Sequence, residues 1–285
     1  PILTPSLSTP QVFCLMPIFQ LILIAVIQGI TEFLPISSSG HLILLPGLTG
    51  LEDQGQVIDV AVHVGTLAAV VLYYRLRLRQ LAEGAWQGLA RGGDTSALRD
   101  VFFLAFATLP AIFVGVFADH WIEAHLRSVL VIAATTIVFG VLLGLADKRV
   151  SAADEWRVPF WTMALLIGIA QAMALVPGVS RSGVTITAGI FLGMSYQRAA
   201  DTSFLMSIPV IAGAGLLKTL ELAGQSAPVD WFMLGAAAGV AALAAYSCIT
   251  LFLQLLGKIG LMPFVWYRLG LGAILLWLVL EGGVS

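Results

Sequence analysis

Two short polar stretches interrupt an otherwise apolar chain. TEFLPISSSGH carries Glu32, Ser37, Ser38, Ser39, Gly40 and His41, and PGVSRSG carries Ser180, Arg181, Ser182 and Gly183. A hydroxyl nucleophile needs a base within hydrogen-bond reach, and the base needs an orienting group. Serine, histidine and glutamate are the types that this work demands, and the first stretch can present all three from one turn. Spacing alone does not establish a triad. The bland alternative is that the serines cap a helix beginning near Gly40, which explains one serine but not three beside an ionisable pair. Gln28 and Glu32 stand four residues apart and share a helix face, and Pro35 stops that helix.

The second stretch suits an anion. Arg181 is the one charged residue from 159 to 197. Its planar fork matches phosphate oxygens bidentately. Ser180 and Ser182 add hydroxyl donors. Gly178 and Gly183 permit a tight turn whose N–H groups point at an anion, and a helix starting near residue 184 adds its N-terminus. The competing reading makes Arg181 a structural partner of Glu32. A phosphate clamp is preferred, because ionisable groups inside a membrane are functional by default.

The elements that position these residues follow from composition. The chain has 285 residues, 59% hydrophobic and 11% charged, with mean hydropathy +0.98. A soluble domain carries about 25% charged residues, so this is a polytopic, all-α integral membrane protein. No basic block or aromatic-interleaved basic patch points to nucleic acid. Cys14 and Cys248 form neither a disulfide framework nor a zinc site. Residues 1–15 lack the basic start of a signal peptide and read as a disordered extension or a mis-called start ahead of one membrane domain over 16–285.

Six segments are long and apolar enough to span: 57–74, 101–118, 129–146, 201–223, 231–256 and 262–280. Two more, about 18–48 and 159–194, are broken by the polar stretches and read as re-entrant hairpins, since irregular backbone survives at that depth only in protein or a wet cavity. Arg75, Arg77, Arg79, Arg91 and Arg99, then Lys148, Arg149 and Arg157, then Lys258 place three connections in the cytoplasm. The first hairpin then opens outward and the second inward. Aligning Gln28 with Gln171 puts Ser37 on Ser180, Ser38 on Arg181, Ser39 on Ser182 and Gly40 on Gly183. With the opposed orientations this indicates an inverted-topology repeat, which places a site between the broken helices.

Other polar residues carry weaker signals. His63 reads as a bonded core residue, and Asp59 and Asp201 as span-end residues. Arg268 reads as snorkelling to the cytoplasmic interface. Trp121, Trp156, Trp161, Trp231, Trp266 and Tyr267 fit an interfacial aromatic belt. His120 and His125, with Asp119 and Glu123, read as a solvated outer loop rather than a metal site.

QGITEFLPISSSGH and PGVSRSG resemble the two signature motifs of the bacitracin-resistance type undecaprenyl-diphosphatases, and the likeness continues through FLMSIPVIAGA and MPFVWYRLG. The resemblance implies six spans and two re-entrant hairpins. It implies a bacterial inner-membrane phosphatase that removes the terminal phosphate of a C55 polyprenyl diphosphate, regenerating the lipid carrier for peptidoglycan. It also implies essential roles for Glu32, Ser38, His41 and Arg181, with Ser37, Ser39, Ser180, Ser182, Gly183 and Gln28 binding the diphosphate. The family's activity depends on a divalent cation, here expected as Mg2+ or Ca2+ on Glu32. Some members have Glu where this chain has Gln28, so one carboxylate of a pair remains; magnesium commonly uses one or two plus substrate phosphates. The expected mechanism has Ser38 attacking or positioning water, His41 shuttling the proton, and Glu32 orienting His41 or holding metal. The expected partners are the polyprenyl diphosphate lipid, the membrane and a second copy in a homodimer, with no nucleic acid. The site is expected to open to the outer face. The main rival is a polyprenyl-phosphate or anion transporter using the same cationic centre; a scaffold without a site ranks last.

Overall fold

A computed structural model describes residues 18–49, 55–92, 95–151, 154, 157–223 and 230–281. The expected extension at 1–15, Trp156 and Cys14 lie outside these residues. The described residues are helical and contain no strand. The helices are α1 (Ile18–Thr31), α2 (Ser38–Thr49), α3 (Gly55–Tyr73), α4 (Arg75–Arg91), α5 (Ser96–His125), α6 (Val129–Asp147), α7 (Phe160–Met173), α8 (Arg181–Phe191), α9 (Tyr196–Ala223), α10 (Trp231–Ile259) and α11 (Met262–Leu280).

Five of the six expected spans, within α5, α6, α9, α10 and α11, are long and apolar enough to cross a membrane. The sixth, α3, is followed by a 69° bend into α4. The arginine-rich connection at 75–100 is therefore largely a helix. Leu76, Trp86 and Leu89 lie exposed on it among its arginines, the composition of a helix that lies in an interface. The outer loop expected at 119–128 is shorter than expected, because α5 continues to His125.

Helices α1 and α7 are each 14 residues, about 21 Å long and too short for a core of about 30 Å. Each breaks at its polar stretch, and a second short helix follows. Helix α1 packs on α10 as α7 packs on α5, while α6 pairs with α11 and α3 with α9. Phe33, beside the first turn, packs edge-on against Phe204 of α9 at 5.2 Å. Phe204 in turn meets Phe252 of α10, so the turn rests on a rigid aromatic core.

Small residues set the helix spacing, as expected where van der Waals contact drives association. A Cβ on Gly29 would sit 2.6 Å from the Ala244 Cβ, and one on Gly65 would collide with the Ala238 carbonyl. A Cβ on Gly235 would meet open space. Gly65→Val should lower the thermal unfolding midpoint of the purified protein by about 5–10 °C. Gly235→Ala should leave it within error; equal midpoints for both variants would contradict this packing.

Candidate functional site

The two turns meet. Arg181 Nη2 donates to Glu32 Oε1 at 2.8 Å, and both side chains are nearly buried. Arg181 Nη1 donates to the Ser203 carbonyl of α9 at 3.1 Å, and its guanidinium lies over the Phe33 ring. The other Glu32 oxygen accepts from the Ser38 hydroxyl at 2.7 Å and from Gln28 Nε2 at 3.0 Å. Glu32 thus joins α1, the first turn, α2 and α8. Arg181 is thus the partner of Glu32, as the competing reading had it, and its nearly buried guanidinium shares that carboxylate with Ser38.

The turns are built alike, atom by atom. Ser37 and Ser180 are the two described non-glycine residues with positive φ, at 75° and 70°. Ser37 Oγ accepts from Gly40 N and Ser180 Oγ from Gly183 N, at 3.3 and 3.1 Å. Each cap hydroxyl also meets the serine two residues on, Ser39 or Ser182, at 3.3 Å. The bland capping explanation therefore holds for Ser37 and Ser180. Ser182 is fully buried and donates to the Leu34 carbonyl at 2.8 Å, another tie between the turns. Gly183 is buried, and a Cβ there would press on Ser180 and Arg268. Ser180, Ser182 and Gly183 are buried, whereas Ser38 and His41 are partly exposed and Ser39 is exposed.

His41 is not where the expected triad needs it. Its Nδ1 lies 2.6 Å from the Ser37 carbonyl, which can only accept, so Nδ1 carries the proton. Its Nε2 lies 2.6 Å from the Tyr267 hydroxyl, and the two rings stack at 12°. The orienting groups of His41 are therefore Ser37 and Tyr267 rather than Glu32. Glu32 instead holds the serine hydroxyl. Tyr267, read as part of an aromatic belt, belongs to the site.

Two more residues were misread. His63 Nε2 stands 3.9 Å from Glu32 Oε2, and its side chain is 36% exposed, so it lines the site rather than the core. Arg268 is fully buried and does not snorkel. It donates to the Pro35 carbonyl of the first turn at 3.2 Å and the Gly178 carbonyl of the second at 2.9 Å. It also donates to the Thr136 and Thr135 carbonyls of α6. Among the described residues no carboxylate pairs with it. Thr135 adds a bond to the Pro177 carbonyl at 2.8 Å. Gly178 is required there: its φ is +88°, and a Cβ would strike Thr135 and the Ile132 carbonyl. The rule that flagged Arg181, a lone charge within an apolar segment, would also have found Arg268.

Among the described residues no three His, Cys, Asp or Glu side chains converge as a metal site. A cation on Glu32 would depend on other donors. Gln28 turns its Nε2 to the carboxylate, while its buried Oε1 has no hydrogen-bond partner. Glu32 is the side chain here that would give a divalent ion an anionic oxygen.

A cavity of about 580 Å³ lies elsewhere, between α4, α5 and α9, where Arg77 pairs with Asp100 and Tyr74 donates to Asp201. An apolar groove of about 400 Å³ runs past Ile30 and Leu34, on either side of Glu32, along Leu251 and Phe252 of α10.

Arg268→Met would leave four backbone carbonyls without their donor. It should destabilise the protein by at least about 3 kcal/mol in reversible unfolding. Arg268→Lys, which keeps the charge but not the fork, should recover only part of that. Unchanged stability in Arg268→Met would contradict the tie.

The family model for the bacitracin resistance protein BacA matches residues 21–274. The undecaprenyl-diphosphatase of Hahella chejuensis is 50% identical over 262 residues, 91% of this chain and 97% of that protein. That of Alteromonas mediterranea is 48% identical over 266 residues, 93% and 99% of the two chains. That of Colwellia psychrerythraea is 49% identical over 276 residues, 93% and 100%. Two polar turns joined through Glu32 and Arg181, carried on a sequence matched almost end to end, place this chain in the bacitracin resistance protein BacA family.

Proposed function

We propose that this chain is an undecaprenyl-diphosphate phosphatase of the bacterial inner membrane. It hydrolyses the terminal phosphate to regenerate undecaprenyl phosphate, the carrier for peptidoglycan, and so confers bacitracin resistance. The carrying observation is the Ser38 hydroxyl held by Glu32 at 2.7 Å while Arg181 reaches the same carboxylate from the opposite turn. A serine pre-bonded to a carboxylate, beside a guanidinium, serves phosphoryl transfer; anion passage needs only the cation.

The diphosphate lies between the turns, and the prenyl chain follows the apolar groove beside Ile30 and Leu34. Arg181 and the N-termini of α2 and α8 neutralise the developing charge. Arg268 adds an unpaired positive charge behind the turns, so two guanidiniums face one carboxylate and the balance favours an anion. Ser38 Oγ bonds to the terminal phosphorus as the bond to the bridging oxygen breaks. Glu32 takes the serine proton, and undecaprenyl phosphate leaves with the bonding electrons. Water then attacks the phosphoserine, giving one proton to His41 Nε2 and its hydroxide to phosphorus, while the Oγ–P bond breaks, Glu32 returns the proton to Ser38 Oγ and inorganic phosphate leaves. Tyr267 and the Ser37 carbonyl keep His41 aimed. Glu32 would hold a divalent cation, which would supply further charge neutralisation at the phosphates. A homodimer is the expected assembly.

The test is phosphate release from undecaprenyl diphosphate by purified protein. Arg181→Ala and Glu32→Gln should each lower kcat by about 10²-fold or more, and Tyr267→Phe by about tenfold. Ser38→Ala with near-normal turnover would overturn the covalent step. No release by the unaltered protein would leave the transporter reading.

We also propose that the site opens outward, a reading supported by the arginine-rich connections assigned to the cytoplasm. A membrane-impermeant thiol reagent should label Ser39→Cys from the outer face, with Cys248 replaced. Labelling from the cytoplasmic face alone would contradict this.

A further inference from the structure

We propose that the cavity between α4, α5 and α9 is a binding site for an aminophospholipid headgroup, a primary ammonium joined to a phosphodiester. The inference does not depend on the reaction at the two turns.

The argument starts from Asp201, which is partly buried on the cavity wall. The Tyr74 hydroxyl donates to its Oδ1 at 2.6 Å, and Gln197 Nε2 reaches both oxygens, at 3.2 and 3.3 Å. These donors are neutral, so they orient the carboxylate without cancelling its charge. Among the described residues no cation forms an ion pair with it. A charge drawn out of water calls for a counter-charge, and a carboxylate has about four acceptor positions to offer one. Asp154 lines the same cavity, its Oδ1 accepting from Ser195 N at 2.8 Å. Asp100 is already paired with Arg77. A metal ion is the poorer counter-charge, because among the described residues no three His, Cys, Asp or Glu side chains converge. A primary ammonium suits the lining. Its three N–H donors bond separated acceptors one at a time, and the Thr202 and Ser195 hydroxyls stand on the same wall.

The rest of the lining indicates what the amine is attached to. Arg77 and Arg198 face the same cavity, and a guanidinium suits phosphate oxygens. Asp100, Asp154 and Asp201 against Arg77 and Arg198 leave one negative charge in excess. A zwitterion is therefore favoured over a free anion such as a diphosphate. Leu81, Phe103, Leu104 and Leu205 give the cavity an apolar side, which a lipid's glycerol and first chain carbons require. Helix α4 forms one wall and exposes Leu76, Trp86 and Leu89 among its arginines. A helix of that composition lies among lipid headgroups, so the cavity opens at their level. Its volume of about 580 Å³ is ordinary for a pocket that takes a small ligand.

The test uses full-length protein in nanodiscs of phosphatidylethanolamine and phosphatidylglycerol in equal parts, with the lipid kept on the protein counted by native mass spectrometry. One phosphatidylethanolamine should be retained about tenfold over phosphatidylglycerol, the effect of a charge-assisted hydrogen bond. Phosphatidylcholine, whose quaternary ammonium has no N–H, should not replace it. Asp201→Asn keeps an oxygen for Tyr74 and removes the charge; it should bring the preference below about twofold. Asp154→Asn keeps an oxygen for Ser195 and should lower the preference part of the way. Thermal midpoints measured in phosphatidylcholine discs show that a variant is folded, and Asp154→Asn decides the matter if Asp201→Asn is not. Equal retention of the two lipids by the unaltered protein overturns the proposal, and so does a preference left intact in every folded variant. Displacement of the bound lipid by an equal concentration of soluble glycerophosphoethanolamine would assign the cavity to a headgroup taken from solution and overturn the lipid site.

Discussion

A charge inside an apolar bundle must find its counterpart inside the protein, and this constraint organises the molecule. Three charges, on Glu32, Arg181 and Arg268, are buried where the two broken helices meet. Arg181 answers Glu32 across the turns. Arg268 answers backbone carbonyls of both turns and of α6. Removing one partner of a buried pair typically costs about 3–5 kcal/mol, so neither turn can relax alone. The strained φ at Ser37 and Ser180 persists because these bonds over-determine it. The contacts proposed to serve catalysis are therefore the ones that hold the turns together.

That identity explains the division of labour among the serines. The first serine of each turn caps its helix, and the third, Ser39 or Ser182, meets the cap. The middle position is where the halves differ: Ser38 in one and Arg181 in the other. Two turns of one design thus present a serine hydroxyl from one and a guanidinium from the other, meeting at Glu32. The same alignment sets Glu32 against Leu175 and His41 against Val184, so the carboxylate and the imidazole also belong to the first turn alone.

Much of this was legible in the chain. The 59% apolar composition and segment lengths indicated a helical membrane protein, and five of the six expected spans are present. The alignment of Gln28 with Gln171 anticipated two turns of one design. Pairwise contacts between distant segments were not legible. Nothing local to Tyr267 shows that its hydroxyl meets a histidine 226 residues away. His63 sits on an apolar helix, and its role depends on which way α3 faces the first turn. Arg268 was misread for another reason: its nearness to a span end invited a solvated explanation, while the bundle turned it inward. Proximity of Glu32 and His41 in sequence suggested a bond that the turn prevents, because Ser37 and Tyr267 occupy both ring nitrogens of His41.

The central claim is that the two turns form one diphosphate site. The most direct measurement is a cryo-electron microscopy structure with a non-hydrolysable methylene-diphosphonate analogue of the polyprenyl lipid. The terminal phosphonate should lie within hydrogen-bond reach of both Ser38 and Arg181, with the chain leaving past Ile30 and Leu34. A phosphonate bound in the cavity between α4, α5 and α9, touching neither turn, would contradict the account.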